Sequence, residues 1–185
     1  MRKVIAAINM TLDGFCDHTA IIPDEEIHQH YTDLLGEGDV ILYGRITYQL
    51  MGYWQELLKN PSGEKTMDDF AMAIDKIQKI FFSRTLKNAE WESAQLAKRS
   101  IGEEVLELKQ QSGKDIFVGS RSLIIQLMNL NLIDEFQLCV HPVIAANGLP
   151  LFENLKDNTT LKLIKTKIFK SGAVVLYYEP TKIDV

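Results

Sequence analysis

Three of the five arginines stand just beyond segments whose composition predicts β-strands: Val40 to Tyr43 then Gly44-Arg45, Ile80 to Phe82 then Ser83-Arg84, and Ile116 to Val118 then Gly119-Ser120-Arg121. In an open α/β sheet the crevice beyond the carboxyl ends of the strands is where ligands bind, because loops and helix N-termini converge there. A planar guanidinium matches phosphate oxygens bidentately. Arg45 and Arg121 each open a predicted helix, where a cation opposes the helix dipole unless an anion compensates. The chain carries a formal charge of -5, so this clustering is not general basicity. One reading is a phosphate-bearing ligand held by all three. The other is that each arginine pairs with Asp or Glu of a neighbouring loop, or solvates a helix start.

Other chemistries fail on spacing. His28 and His30 are two apart on a predicted helix and face different ways, and His18 and His141 have no partners at ligand spacing, so no metal site is expected. No Ser sits in a G-x-S-x-G turn and no G-x-x-x-x-G-K-[ST] loop occurs. Cys16 and Cys139 lack C-x-x-C spacing, and Cys139 lies in an apolar run that reads as core. The acidic balance argues against nucleic acid as a partner. No apolar run spans a bilayer and no signal-peptide core follows Met1-Arg2-Lys3, which predicts a cytoplasmic protein with no membrane partner.

The elements that must position these residues alternate. Lys3 to Asn9 reads as a buried strand, followed by a polar loop, Asn9 to His18, long enough for a lid. A helix starts at Pro23-Asp24, buries Ile27, Tyr31, Leu34 and Leu35, and ends at Gly36 and Gly38. Helices are predicted from about Ile46 to Leu58, around Met67 to Ile77, from a Ser100-x-x-Glu103 capping box to near Gly113, and from Ser120 to Asn131. Strands are predicted over Val40 to Tyr43, Ile80 to Ser83, around Trp91, and over Asp115 to Val118. From Glu135 the pattern changes to three strands without helices: Phe136 to His141, Leu161 to Phe169 and Ala173 to Tyr178, the last two joined by Lys170-Ser171-Gly172. The expectation is one α/β domain over residues 1–185, with a mixed eight-stranded sheet, helices on both faces and antiparallel C-terminal strands.

Five motifs in this order carry a resemblance: Ile5-Ala6-Ala7 with Thr11-Leu12-Asp13-Gly14, Tyr43-Gly44-Arg45-Ile46-Thr47-Tyr48, Ser83-Arg84, Val118-Gly119-Ser120-Arg121-Ser122, and Leu132-Ile133-Asp134-Glu135 with His141-Pro142-Val143 and Gly148-Leu149-Pro150-Leu151-Phe152. The chain resembles the dihydrofolate reductase-like superfamily, in the branch of the C-terminal reductase domain of the bifunctional riboflavin-biosynthesis deaminase-reductase. The resemblance implies an NADPH-dependent oxidoreductase similar to the 5-amino-6-(5-phosphoribosylamino)uracil reductases. It would pass a hydride to a pterin-like, pyrimidine-like or carbonyl substrate. The alternative is a non-catalytic module that keeps only the NADPH crevice.

By the same resemblance Gly44, Arg45 and Thr47 hold the 2'-phosphate and pyrophosphate, and Ser83 and Arg84 flank the adenine ribose and its phosphate. Gly119, Ser120, Arg121, Ser122 and Leu123 wrap the pyrophosphate, and the Ala7 backbone meets the nicotinamide carboxamide. Relatives often have Gly-Gly where this chain has Gly119-Ser120. Hydride transfer to a ring C=N or C=O needs a proton for the neighbouring heteroatom. Asp13 matches the branch and is expected near the nicotinamide, with turn formation beside Gly14 as its other role. Asp24 and His28, at i and i+4, are expected at the substrate end, although Asp24 also suits a helix cap. Trp54 is a candidate wall for a flat ring, with helix core as its alternative. The residues do not choose the proton donor. The terminal strands, read as apolar on both faces, predict a homodimer that covers them, as in the related reductases.

Overall fold

The computed structural model describes residues 1–181, so residues 182–185 of the single expected domain lie outside the described residues. A sheet of order β4-β3-β2-β5-β1-β6-β8-β7 forms the middle layer. The parallel part is β1 (Val4–Thr11), β2 (Gly38–Gly44), β3 (Gln78–Phe82), β4 (Ala94–Leu96), β5 (Asp115–Val118) and β6 (Glu135–His141). β8 (Val174–Pro180) joins β6 antiparallel, and β7 (Leu161–Ile168) joins β8 antiparallel at the edge. The connection is a tight turn in which Gly172 adopts φ +85°, a conformation costly for a residue with a Cβ.

Helices cover both faces. α1 (Glu25–Glu37), α2 (Arg45–Lys59) and α3 (Lys65–Lys76) lie on the face of Ile5, Ile41, Phe81 and Phe117, while α4 (Ile101–Gln110) and α5 (Arg121–Asn129) cover Val4, Leu42, Ile116 and Phe136. Alternate strand residues enter opposite cores because side chains alternate across a pleated strand. α1 is capped by Asp24, whose carboxylate accepts from the Ile27 amide. α4 begins with the reciprocal Ser100–Glu103 box.

Two expectations shift. The strand expected around Trp91 lies at Ala94–Leu96; Trp91 is instead a buried turn residue, its indole N–H donating to Asp75 at 2.7 Å. Above its ring sits Lys79, whose ammonium donates to Ser93 Oγ at 2.7 Å and to the Ile77 carbonyl at 2.9 Å; burial pushes its pKa down to about 8. Of the terminal strands, β8 is apolar on both faces, with Val175 and Tyr177 buried against Ile27, Cys139 and Phe169, whereas β7 is apolar on one face only. Leu163, Ile168, Val174, Leu176 and Tyr178 share one side, whereas Lys165 and Lys167 turn to the other, over Tyr177 and Phe169. A bulge between Leu163 and Lys165 makes this switch.

Candidate functional site

A cavity of about 450 Å³ opens at the carboxyl ends of β1, β2 and β5, between α1 and α2. Its floor includes Ala7, Tyr43, Phe117 and Gly119, and its walls include His28, Thr47, Trp54, Phe70, Arg121 and Ser122. It sits where a crossover from β1 to β2 skips over β5, the switch point at which open sheets bind ligands.

At one end the turns after β2 and β5 meet. The Gly44 amide donates to Oγ of buried Ser120 at 2.8 Å. A Cβ on Gly44 would stand 3.1 Å from Ser122 Oγ, and one on Gly119 would stand 3.3 Å from the Tyr43 ring. Both glycines thus keep the backbone close and the cleft open. Neither α2 nor α5 has a side-chain cap, unlike α1 and α4, so their first-turn amides remain available to an anion. Leu123 departs from expectation: its side chain is in the core and its amide already donates to the Ser120 carbonyl at 3.0 Å.

The three arginines behave differently. Arg121, first residue of α5, lines the cavity but donates to the Pro150 carbonyl at 2.6 Å and pairs with Glu153. For this one the acid-paired reading holds. Arg45, first residue of α2, is exposed and meets only Gln49 Oε1 at 2.9 Å; Arg84 is exposed too. Neither is paired with a carboxylate among the described residues. Ser83 accepts from the Thr85 and Leu86 amides at 3.1 and 2.9 Å, which shapes the turn that carries Arg84.

The opposite end is aromatic with a polar tip. Trp54 and Phe70 pack edge to face at 4.6 Å, and His28 meets the Trp54 edge at 5.7 Å. Burial pushes the His28 pKa down, opposed by the Asp24 carboxylate, so the ring is neutral near pH 7. Asp24 itself caps α1 and does not line the cavity. Asn9 and Tyr31 do line it. Asn9 Oδ1 accepts from the Tyr31 hydroxyl at 3.2 Å and lies 2.9 Å from His141 Nε2. Burial lowers the pKa of His141, again against Asp24, and desolvation raises that of Tyr31, so both are neutral.

Asp13, expected at the reacting ring, is absent from the cavity lining. Its carboxylate accepts from Thr11 Oγ1 at 2.6 Å and from the Ala145 and Ala146 amides at 3.1 and 2.8 Å. First the Thr11 hydroxyl and then these amides hold its pKa below the ordinary value. The expected lid from Asn9 to His18 is thereby shortened and tied down: β1 runs on to Thr11, paired with His141, and the Cys16 amide donates to the Leu149 carbonyl at 2.9 Å.

Sequence reasoning missed Asn9, Tyr31 and His141 as a group. A polar residue closing an otherwise apolar strand was the available signal for Asn9. His141 had none, because its meeting with Asn9 depends on β6 pairing with β1.

The family described as the RibD C-terminal domain matches residues 2–177. The uncharacterized protein YyaP of Bacillus subtilis strain 168 is 36% identical over 185 residues, covering 96% of this chain and 94% of its own length. YwjB of the same strain is 30% identical over 184 residues, covering 96% and 97%. Among solved structures, the fold is similar to a candidate riboflavin biosynthesis protein of Shewanella sp. PV-4, with TM-score 0.75 and 17% identity over 97% of this chain and 99% of that one. It is also similar to a pyrimidine reductase-like protein of Corynebacterium diphtheriae, with TM-score 0.65 and 15% identity over 98% and 93%. The Acinetobacter baumannii RibD shares it with TM-score 0.62 and 14% identity, over 98% of this chain and 59% of that one.

Proposed function

Since the chain belongs to the RibD C-terminal domain family, a family of reductases, we propose that it is an NADPH-dependent reductase of a small heterocyclic or carbonyl substrate. The observation that carries this reading is the single cavity joining two unlike ends: paired turns with uncapped helix starts on one side, an aromatic chamber with a polar tip on the other. A dinucleotide needs the first, and a hydride acceptor the second.

The residues present fit the cofactor. Gly44 and Gly119 let the turns after β2 and β5 approach closely, and Arg45 and Arg84 are cations without acidic partners among the described residues. In this reading Arg45, Thr47 and the α2 amides hold the 2'-phosphate and pyrophosphate, with Arg84 on the adenine side. Gly119, Ser120 and Ser122 border the pyrophosphate, and the Ala7 carbonyl edge meets the nicotinamide. Arg121 reaches a phosphate only by leaving Glu153. When bound, NADPH supplies the hydride. The chain's own part is to orient the acceptor ring against the aromatic walls, exclude water and offer hydrogen bonds to the heteroatom that gains a proton. Asp13 acts as a positioning residue, holding the loop at 145–146 against the turn after β1.

The apolar face of β8 and β7 is covered, in this reading, by a second copy, and the protein works in the cytoplasm. Among the described residues no helix is long and apolar enough to cross a membrane. The test of the reading is NADPH consumption with a panel of pterins, pyrimidines and quinones. Oxidation with at least one of them supports the enzyme; NADPH binding without oxidation by any would instead mean a dinucleotide-binding module.

A further inference from the structure

The aromatic end of the cavity states what kind of molecule it takes. Asn9 is the polar group at its tip, and its orientation is set from behind. Oδ1 is an acceptor only, so the Nε2 of His141, 2.9 Å away, carries the ring proton and donates to it, as does the Tyr31 hydroxyl at 3.2 Å. Both lone pairs of the carbonyl are then used. The amide nitrogen has no partner among the described residues, although Asn9 lines the cavity. The group therefore presents its N–H donors toward the cavity, where a ligand acceptor can take the place of water.

The walls add shape and charge. Trp54, Phe70 and His28, packed edge to face in the pairs Trp54–Phe70 and His28–Trp54, line it together with Leu50, Met51 and Ile21, a lining that suits a flat ring. Among the described residues lining the cavity, Arg121 is the one arginine and there is no lysine. Its guanidinium is engaged by the Pro150 carbonyl and by Glu153. His28 is held neutral by burial, and Asp17 faces the cavity beside His18, whose Nδ1 lies 3.8 Å from the Asp17 carboxylate. A phosphate dianion brought here would lose water, meet the Asp17 carboxylate and gain a guanidinium only by breaking the Arg121–Glu153 pair.

We propose that this end takes a neutral, planar heterocycle whose ring carbonyl accepts from the Asn9 amide, and that it rejects the same kind of ring carrying a sugar phosphate. The inference rests on the hydride-transfer reading and narrows its substrate class. It separates this chain from enzymes whose substrate is a phosphoribosylamino pyrimidine.

Calorimetric titration of the full chain saturated with NADP⁺ tests it, with three probes: lumazine, 5-amino-6-(ribosylamino)uracil and the 5'-phosphate of the latter. Lumazine is expected to bind below millimolar, and the phosphate at least tenfold more weakly than its nucleoside. Asn9→Asp keeps an acceptor for Tyr31 and His141 while replacing the forward donors by an acceptor, so lumazine binding should fall at least tenfold. Asn9→Leu should lose it as well, with circular dichroism confirming that each variant folds. Equal or tighter binding of the phosphate, lumazine affinity in Asn9→Asp within twofold of wild type, or no binding by any probe would each overturn the proposal. Because binding needs no turnover, a chain that binds lumazine through Asn9 yet never oxidises NADPH would refute the reductase reading separately.

Discussion

The backbone amide of Gly44 donates to the Ser120 hydroxyl at 2.8 Å, joining the turn that follows β2 to the turn that follows β5. Both partners are buried, so the bond is sheltered from water. Ser120→Ala leaves the Gly44 N–H without its acceptor, which costs about 1–3 kcal/mol. In a chain of this size that is a fall in Tm of several degrees. Dinucleotide affinity should fall with it, since the two turns are no longer held together, and Ser120→Gly should behave alike. Unchanged melting and unchanged NADPH binding in both variants would show that the bond does not organise the cleft.

Acid should destabilise the fold through His30. Burial lowers its pKa from 6.5 to about 4, and the ammonium groups of Lys167 and Lys165 add to the effect while Asp33 opposes it. Lys167 Nζ lies 3.4 Å from His30 Nδ1, with Tyr31 and Phe169 against the ring. The unfolded chain takes up a proton near pH 6.5 that the folded chain refuses until about pH 4, so stability is full above pH 6.5 and falls as pH drops through this window. His28 and His141 contribute with the same sign. Urea midpoints measured from pH 7 to 4 should fall less steeply for His30→Gln than for wild type. Identical slopes would remove His30 as the cause.

Local signals in the sequence were strong where the backbone decides the structure. The Ser100–Glu103 box starts α4 as its spacing requires, and the apolar run Asp115–Val118 is β5 to the residue. Weak points were those decided by distant partners. β4 is three residues long at the sheet edge, too short for alternation to show, and the buried Trp91 nearby drew the expectation to itself. Arg121 looked like its two counterparts because nothing local reveals Glu153, which arrives on the loop after β6. Asn9 and His141 likewise meet only because β6 lies beside β1 in register.

Asp13 ties together two loops that border the cavity, so its removal should act on turnover more than on cofactor binding. Oδ1 of Asp13 accepts from the Ala145 amide and Oδ2 from the Ala146 amide, so Asp13→Asn, which keeps one acceptor oxygen, leaves one of the two amides without its acceptor. Turnover on any substrate found should drop about tenfold or more, as expected for loss of positioning, with NADPH affinity within about twofold. Limited proteolysis should also cut faster within residues 142–155. Full turnover with no change in cleavage would leave Asp13 as a turn residue alone.

Leu163 and Ile168 are exposed on the same side as Val174, Leu176 and Tyr178, an apolar stripe on an edge strand. Edges of that kind invite pairing unless covered. Light scattering at micromolar concentration should report about twice 21.1 kDa. Ile168→Asp should shift the mass to that of a monomer. A monomeric wild type would show that the stripe stays uncovered in solution.

The central claim is that Arg45 and Arg84, exposed and without acidic partners among the described residues, are kept for the phosphates of NADPH. Calorimetric titration of wild type, Arg45→Ala and Arg84→Ala with NADPH and with NADH tests it most directly. Each charge-assisted pair contributes about 1.5–3 kcal/mol, so wild type should prefer NADPH by tenfold or more. Arg45→Ala should lose most of that preference while binding NADH almost as before. Equal affinity of wild type for the two nucleotides would contradict the account.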